Sequence, residues 1–232
     1  NKYINLTLGI DLELKMKLTR RQALPVFAAT GLAMGAANSL PGLNQVLGTD
    51  VAKAQGLADL MEPGPLGEHV KGEADAPVTL IKYASMTCPH CRTWHREHYP
   101  TIKSKYIDTG VVKFYFREFP FDPAAAAAFM LAECAGEDKY FSMIDVLYEK
   151  QSVWSRGKVA DELLKIAKLA GFTQETFQSC LQNQELLDNV LSIQKKAAEE
   201  YGVNATPTFF INGTKYPNMS AEEMGEIIES LA

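Results

Sequence analysis

The spacing of apolar and polar positions divides the chain into segments of different secondary structure. Residues 77–84 (PVTLIKYA) and 111–119 (VVKFYFREF) are short and rich in β-branched and aromatic residues, which predicts two strands. Residues 92–107 between them (RTWHREHYPTIKSKYI) have helical character. A strand, a crossover helix and a second strand form a βαβ unit, whose connection is almost always right-handed.

The pattern changes after Pro123, where four stretches predict helices: AAAAAFMLAECAG, DKYFSMIDVLYEKQ, VADELLKIAKLAG and LLDNVLSIQKKAAEEYG. Gly136, Gly171 and Gly202 lie where glycine commonly ends a helix. Because residues 123–200 carry no strand pattern, we expect them to form a helical insertion.

Strand character returns in residues 206–217 (TPTFFINGTKYP), where the dipeptide Asn212-Gly213 is a strong signal for a hairpin turn. A closing helix is predicted from Ser220, because apolar residues then recur at helical spacing. These residues are Ala221, Met224, Ile227, Ile228 and Leu231.

The first 54 residues resemble an export signal rather than part of a folded domain. Residues 16–54 contain a basic start, a mildly apolar middle and the small-x-small sequence Ala52-Lys53-Ala54, which predicts cleavage near Ala54. The pair Arg20-Arg21 favours the twin-arginine type, although the general export route stays open. An N-terminal membrane anchor is the alternative, but the apolar run is shorter than a spanning helix needs. Residues 1–15 precede the first methionine and are interpreted as an upstream, non-native extension.

The remaining sequence predicts one interrupted α/β domain. Residues 77–122 and 201–232 would form its core, the helical insertion would occupy 123–200, and the Pro- and Gly-containing residues 55–76 would be a lead-in. The first 54 residues hold six basic and three acidic residues, so the other 178 carry a formal net charge of −8, against −5 for the whole chain. Such an acidic protein is not expected to bind nucleic acid. No later apolar run is long enough to span a membrane.

The candidate chemistry lies in SMTCPHCRTWH, directly after the first predicted strand. Cys88 is expected at a helix N-terminus, where free backbone N–H groups and the helix dipole stabilise a thiolate. Pro89 suits the first helical turn, because it has no N–H to leave unpaired. Cys91 lies one turn further, close enough for a disulfide with Cys88, and His90 between them can stabilise the thiolate further.

Three other interpretations compete with a dithiol switch. Covalent haem attachment requires a histidine directly after the second cysteine, where this chain has Arg92. A copper or zinc site could use the cysteines with His90, His95 or His98. However, zinc sites usually draw their ligands from two separated pairs, and the sequence contains no second CxxC or HxxxH. A purely structural disulfide is disfavoured, because closing one helical turn removes little chain entropy. His95 and His98 are expected to be polar or half-buried helix residues.

The motifs SMTCPHC, TGVVKFYFREFP and GVNATPTFFING make residues 60–232 resemble the DsbA-like thiol:disulfide oxidoreductase family. The resemblance implies a thioredoxin-like fold, with a central mixed sheet flanked by helices and an inserted all-helical subdomain. It implies that Cys88 is the nucleophile and Cys91 the resolving cysteine, and that Pro89 and His90 set the redox potential. Thr206-Pro207 matches the loop that carries the family's cis-proline and contacts the substrate.

The resemblance also implies the function: an exported, periplasmic, monomeric oxidase that introduces disulfides into client proteins without a cofactor. A membrane disulfide oxidase would recharge it. A disulfide isomerase or reductase of the same fold is the alternative, because Thr206 also occurs in isomerase-type relatives, and a metal-binding thiol protein is a second one. Cys134 and Cys180 are expected to form a structural disulfide in an exported protein, and two free buried cysteines are the alternative.

Overall fold

The computed structural model describes residues 56–232, which contain a five-stranded mixed sheet in the order β1-β3-β2-β4-β5. The strands are β1 (His69–Lys71), β2 (Val78–Ala84), β3 (Val112–Glu118), β4 (Thr208–Ile211) and β5 (Thr214–Tyr216). Strands β2 and β3 are parallel and the other pairs are antiparallel. The predicted thioredoxin-like α/β fold is therefore confirmed. The predicted extension, export signal and cleavage position near Ala54 lie outside the described residues.

The helices follow the predicted order but are divided more finely. Strand β2 leads into α1 (Pro89–Glu97), α2 (Tyr99–Ile102) and a π-helix (Lys103–Ile107), where one helix was expected. The helical insertion contains α3 (Pro123–Cys134), α4 (Glu137–Glu149), α5 (Gln151–Trp154), α6 (Val159–Leu169), α7 (Gln174–Leu181) and α8 (Gln184–Glu200). The closing helix is α9 (Ala221–Glu229). None of the helices in the described region combines the length and apolarity that crossing a bilayer requires.

Helix α7 and strand β1 were not predicted from the sequence. Helix α7 begins after Thr173, whose hydroxyl caps the N–H of Thr176, but it buries few apolar residues and so has a weak pattern. Strand β1 lies inside the segment interpreted as a lead-in. It is only three residues long, and it is held by antiparallel pairing with β3 and by the stacking of His69 on Tyr140, at 3.3 Å between ring centroids. Neither contact is visible as a local pattern.

The turn chemistry at the C-terminal end agrees with the prediction. Asn212 and Gly213 join β4 to β5 with positive φ angles of 43° and 82°, a conformation that asparagine and glycine adopt most easily. Ser220 caps α9 together with Glu223, whose carboxylate accepts the N–H of Ser220 at 2.8 Å. The hairpin turn and the start of a helix at Ser220 were predicted from the sequence, whereas the contact of Ser220 with Glu223 was not.

The two faces of the sheet are buried in separate apolar clusters. One cluster, which includes Leu80, Phe114 and Phe116, packs against α1 and the helical insertion. The other, which includes Ile81 and Tyr115, lies on the opposite face of the sheet. Strand β4 pairs antiparallel with β2, so the start of β4 lies beside the end of β2, where α1 begins. This arrangement brings residues 85–91 next to residues 206–208.

A disulfide joins the end of α3 to α7 inside the helical insertion. Cys134 and Cys180 have an S–S distance of 2.14 Å and a Cα–Cα distance of 6.2 Å, with 46 residues of sequence separation. This is the pairing that the sequence analysis favoured over two free cysteines. The bridge connects the end of α3 to α7, and so constrains the chain segment between them, which contains α4, α5 and α6.

Candidate functional site

The two remaining cysteines occupy the first turn of α1. Cys88 is the N-cap residue, in an extended conformation, and its Sγ accepts the backbone N–H of Cys91 at 3.5 Å. Pro89 follows at the first helical position, as its missing N–H and fixed φ allow. Both cysteines are free thiols here. The chain therefore folds locally in the way that the sequence predicted.

The environments of the two sulfurs differ strongly. Cys91 is fully buried, while Cys88 keeps 8% of its surface exposed and lies beside the exposed residues Pro89 and His90. A hydrogen bond from the Cys91 thiol lowers the pKa of Cys88 to about 5, helped by the side chain of Thr206 and by backbone N–H groups, against the opposing effect of burial. Burial raises the pKa of Cys91 well above its usual value. Cys88 is thus a slightly exposed thiol of low pKa, and Cys91 a fully buried thiol of raised pKa.

The loop before β4 completes the surface around Cys88. The Thr206-Pro207 peptide bond is cis, and the Thr206 carbonyl accepts the Cys88 S–H at 3.2 Å when that thiol is protonated. A groove of about 450 Å³ opens next to this loop, lined by His90, Thr206, Pro207 and residues of the β4–β5 region. An extended peptide placed there would lie along the backbone of the loop whose Thr206 carbonyl faces Cys88.

A family model described as thioredoxin matches residues 66–230, which is more than half of the chain. The crystal structure of Wolbachia pipientis alpha-DsbA1 is 30% identical and superposes with a TM-score of 0.69, covering 75% of this chain and 94% of that one. The chain belongs to the DsbA-like thiol:disulfide oxidoreductase family. The predicted family is therefore confirmed.

Two further DsbA-like relatives extend this similarity. Oxidised BdbD from Bacillus subtilis is 27% identical, with a TM-score of 0.65 over 72% of this chain and 94% of that one. A Rickettsia bellii relative whose name assigns it to the protein-disulfide oxidoreductases is 31% identical over 164 residues. That alignment covers 70% of this chain but 63% of the Rickettsia protein, so the chain spans less than two thirds of this relative's length.

In this DsbA-like site, the helical insertion supports the cysteine loop. The side-chain amide of the buried Gln151 donates to the carbonyl of Met86 at 2.7 Å and to that of Cys88 at 3.0 Å. Thr87 donates to the Asp122 carboxylate at 2.6 Å. Sequence reasoning missed Gln151, because a single glutamine among helical residues carries no local signal of its partners. The insertion is thus bonded directly to the backbone around the nucleophilic position.

The histidines near the motif do not act as a group. His90 is exposed, whereas His95 bonds to the Asp145 carboxylate at 2.8 Å and stacks on Tyr99. His98 accepts the backbone N–H of Ala221 at 3.4 Å. The sequence had treated His95 and His98 as polar or half-buried helix residues, and their contacts agree with that interpretation.

A buried carboxyl cluster lies apart from the cysteines, at the end of β3. Glu118 accepts the Tyr140 hydroxyl at 2.8 Å, and His69 bonds to Glu133 at 2.6 Å. Burial raises the pKa of Glu118 to about 8, and the nearby carboxylate of Glu133 adds to this effect. Within residues 56–232, His69, Glu118 and Glu133 are the grouping whose atoms lie close enough to share a metal ion. The two cysteines are not part of this grouping.

Proposed function

We propose that this chain is an exported thiol:disulfide oxidoreductase that introduces disulfide bonds into client proteins. The observation that carries the proposal is the difference between the two sulfurs: Cys88 is slightly exposed and has a low pKa, whereas Cys91 is fully buried and has a raised pKa. A thiol of low pKa is a good leaving group, and stabilising the reduced form makes a disulfide more oxidising. Membership of the DsbA-like family supports the same direction.

The oxidation of a client takes two exchange steps. A client thiolate attacks Sγ of Cys88 in the oxidised enzyme, so the Cys88–Cys91 bond breaks and its electron pair passes to Cys91, which takes up a proton. A second client thiolate then attacks the client sulfur of the mixed disulfide. Cys88 leaves as a thiolate, and the client gains a disulfide while the enzyme has gained two electrons.

The surrounding residues have proposed roles in these steps. Pro89 and His90 are exposed beside Cys88 and set the environment of its thiolate. The loop of Thr206 and Pro207 holds the client segment across the groove, with the Thr206 backbone facing Cys88. Reduced exported proteins are the clients, and a membrane disulfide oxidase removes the electrons afterwards. The periplasm is the proposed location, and the enzyme acts as a monomer without a cofactor.

The test is the redox equilibrium of the purified protein with glutathione, combined with the oxidation of a reduced, unfolded client protein. We expect the wild type to equilibrate at the oxidising end of the range of thioredoxin-fold proteins and to oxidise the client. Cys88→Ser should abolish client oxidation, whereas the double variant of Cys134 and Cys180 serves as the matched control and should retain it. A strongly reducing equilibrium would contradict the oxidase proposal and favour the isomerase or reductase.

A further inference from the structure

The least expected side chain of the sheet is Lys82, in the middle of β2. The alternation along the strand directs it to the face that α1 covers, and it is fully buried. Its Nζ lies 4.4 Å from the ring centroid of Trp94, 5.3 Å from that of Tyr148 and 5.4 Å from that of Phe116. Within the described part of the chain, it has no hydrogen-bond acceptor.

A buried ammonium group without a carboxylate partner is energetically costly. Removing such an ion from water is costly even after relaxation, and contact with an aromatic face offsets only part of that cost. Even buried ion pairs can often be replaced by apolar residues of similar volume without loss of stability, and Lys82 does not have a hydrogen-bonded carboxylate partner among the described residues. Stability therefore gives no reason for a lysine here.

The charged and titratable groups around Lys82 come from every element that packs on this face. Helix α1 contributes the two sulfurs and His95, α2 contributes Tyr99, β3 contributes Glu118, and α4 contributes Asp145 and Tyr148. Asp145 is half-exposed and is already bonded to His95. Glu118 is bonded to Tyr140 and is largely protonated at neutral pH, because its pKa is raised to about 8.

Trp94, whose ring Lys82 contacts, follows Cys91 by one helical turn on α1, and both residues are buried. The sulfurs are therefore the buried groups whose negative charge the ammonium can balance. The interactions of Lys82 with Cys91 and then Cys88 are the largest that favour its protonated form. The same interaction favours the thiolate of Cys91, against the effect of burial. The charge state of Lys82 and the redox state of the pair are thus coupled.

We propose that Lys82 is the counter-charge of the Cys88–Cys91 pair, holding a proton while the pair is reduced and releasing it when the pair becomes a disulfide. The inference rests on the proposed redox function of this pair. The reduced site then contains a thiolate, a thiol and an ammonium group, and is neutral overall. The oxidised site contains a disulfide and an amine, and is also neutral.

The electrons and protons of the reaction balance. Oxidation by a small disulfide, such as oxidised glutathione, forms the S–S bond of the pair and breaks that of the oxidant, which accepts two electrons and two protons. One proton leaves the Cys91 thiol and the other leaves the Lys82 ammonium group. In the reduced protein the pKa of Lys82 is about 8, and loss of the negative sulfur lowers it further.

The test is the equilibrium constant with glutathione measured between about pH 6 and 7.5, a range above the Cys88 pKa of about 5 and below the Lys82 pKa of about 8. In the wild type, we expect the constant for oxidation by glutathione disulfide to stay nearly independent of pH, because two protons leave the enzyme and two enter the glutathione thiols. In Lys82→Met, one proton leaves the enzyme, so the constant should fall tenfold per pH unit. Tenfold corresponds to about 30 mV for a two-electron couple.

Two further variants separate charge from packing. Lys82→Arg keeps a cation that stays protonated in both redox states, so it should show the same tenfold dependence as Lys82→Met. Lys113→Met is the matched control, because Lys113 lies 5.7 Å from the Tyr115 ring on β3 and donates to the Ala74 carbonyl. Its pH dependence should equal that of the wild type.

The outcomes distinguish this proposal from the proposed function. A wild type whose constant already falls tenfold per pH unit overturns the role of Lys82, whether or not the variants fold, and leaves the redox function intact. Equal pH dependence in the wild type and Lys82→Met overturns it as well. A protein that reaches no equilibrium with glutathione at any pH instead refutes the redox function itself.

Discussion

Replacing Cys91 with alanine removes the hydrogen bond that contributes most to the acidity of Cys88. The fall of the Cys88 pKa from 9.0 to about 5 corresponds to about 5 kcal/mol of thiolate stabilisation. A hydrogen bond to a charged group contributes about 1.5 to 3 kcal/mol of this. We therefore expect Cys91→Ala to raise the Cys88 pKa by about one to two pH units, to roughly 6 or 7. The backbone N–H of residue 91 stays in place in this variant and continues to bond to the sulfur.

The measurement is the ultraviolet absorbance of the thiolate as a function of pH. Cys88 is then the free thiol that titrates among the described residues, because Cys134 and Cys180 are joined in a disulfide. Cys91→Ser is the matched control, since its hydroxyl can still donate and should keep the Cys88 pKa close to that of the wild type. If Cys91→Ala and Cys91→Ser show the same Cys88 pKa, the Cys91 side chain is not the donor, and the reasoning about this site is wrong.

Two other predictions concern stability. Replacing Cys134 and Cys180 together by alanine should lower the free energy of unfolding by about 4 kcal/mol in the chain-entropy model for a 46-residue separation, measured by urea unfolding, and should leave the glutathione equilibrium unchanged. An altered equilibrium would show that the insertion disulfide acts on the active site. Glu118 has a folded-state pKa raised from 4.5 to about 8, so its contribution to stability is complete below about pH 4.5 and is lost as the pH rises through about 8. The free energy of unfolding should therefore fall between pH 5 and pH 8 by up to about 4 kcal/mol in the wild type and by clearly less in Glu118→Gln. If the free energy of unfolding depends on pH in the same way in both proteins, Glu118 is not the cause.

The sequence alone determined those parts of the protein that depend on neighbouring residues. The strands β2 and β3 follow from their β-branched and aromatic composition, and the hairpin follows from Asn212-Gly213. The position of Cys88 at the start of α1 follows from Pro89 directly after it, because proline suits the first helical turn. The family could also be recognised from the sequence, because its motifs are short and contiguous. The roles assigned to the individual site residues stay predictions until the variants are measured.

Only the tertiary structure decided which distant groups meet. Gln151 reaches the carbonyl of Cys88 from 63 residues away, and the Thr206 carbonyl reaches its sulfur from 118 residues away. Strand β1 exists because β3 and α4 hold it, although three residues have little strand preference of their own.

Lys82 is the clearest example of a residue whose role depends on the tertiary structure. The alternation along β2 could place its side chain on one face of the sheet, but the effect of its charge depends on the groups that are buried beside it. Local sequence sets backbone conformation through short-range sterics and hydrogen bonding, whereas burial and electrostatic coupling depend on the packing of elements far apart in the chain. The sequence therefore determined that this protein carries a pair of cysteines at a helix start, and the tertiary structure decided the environment that makes the two sulfurs different.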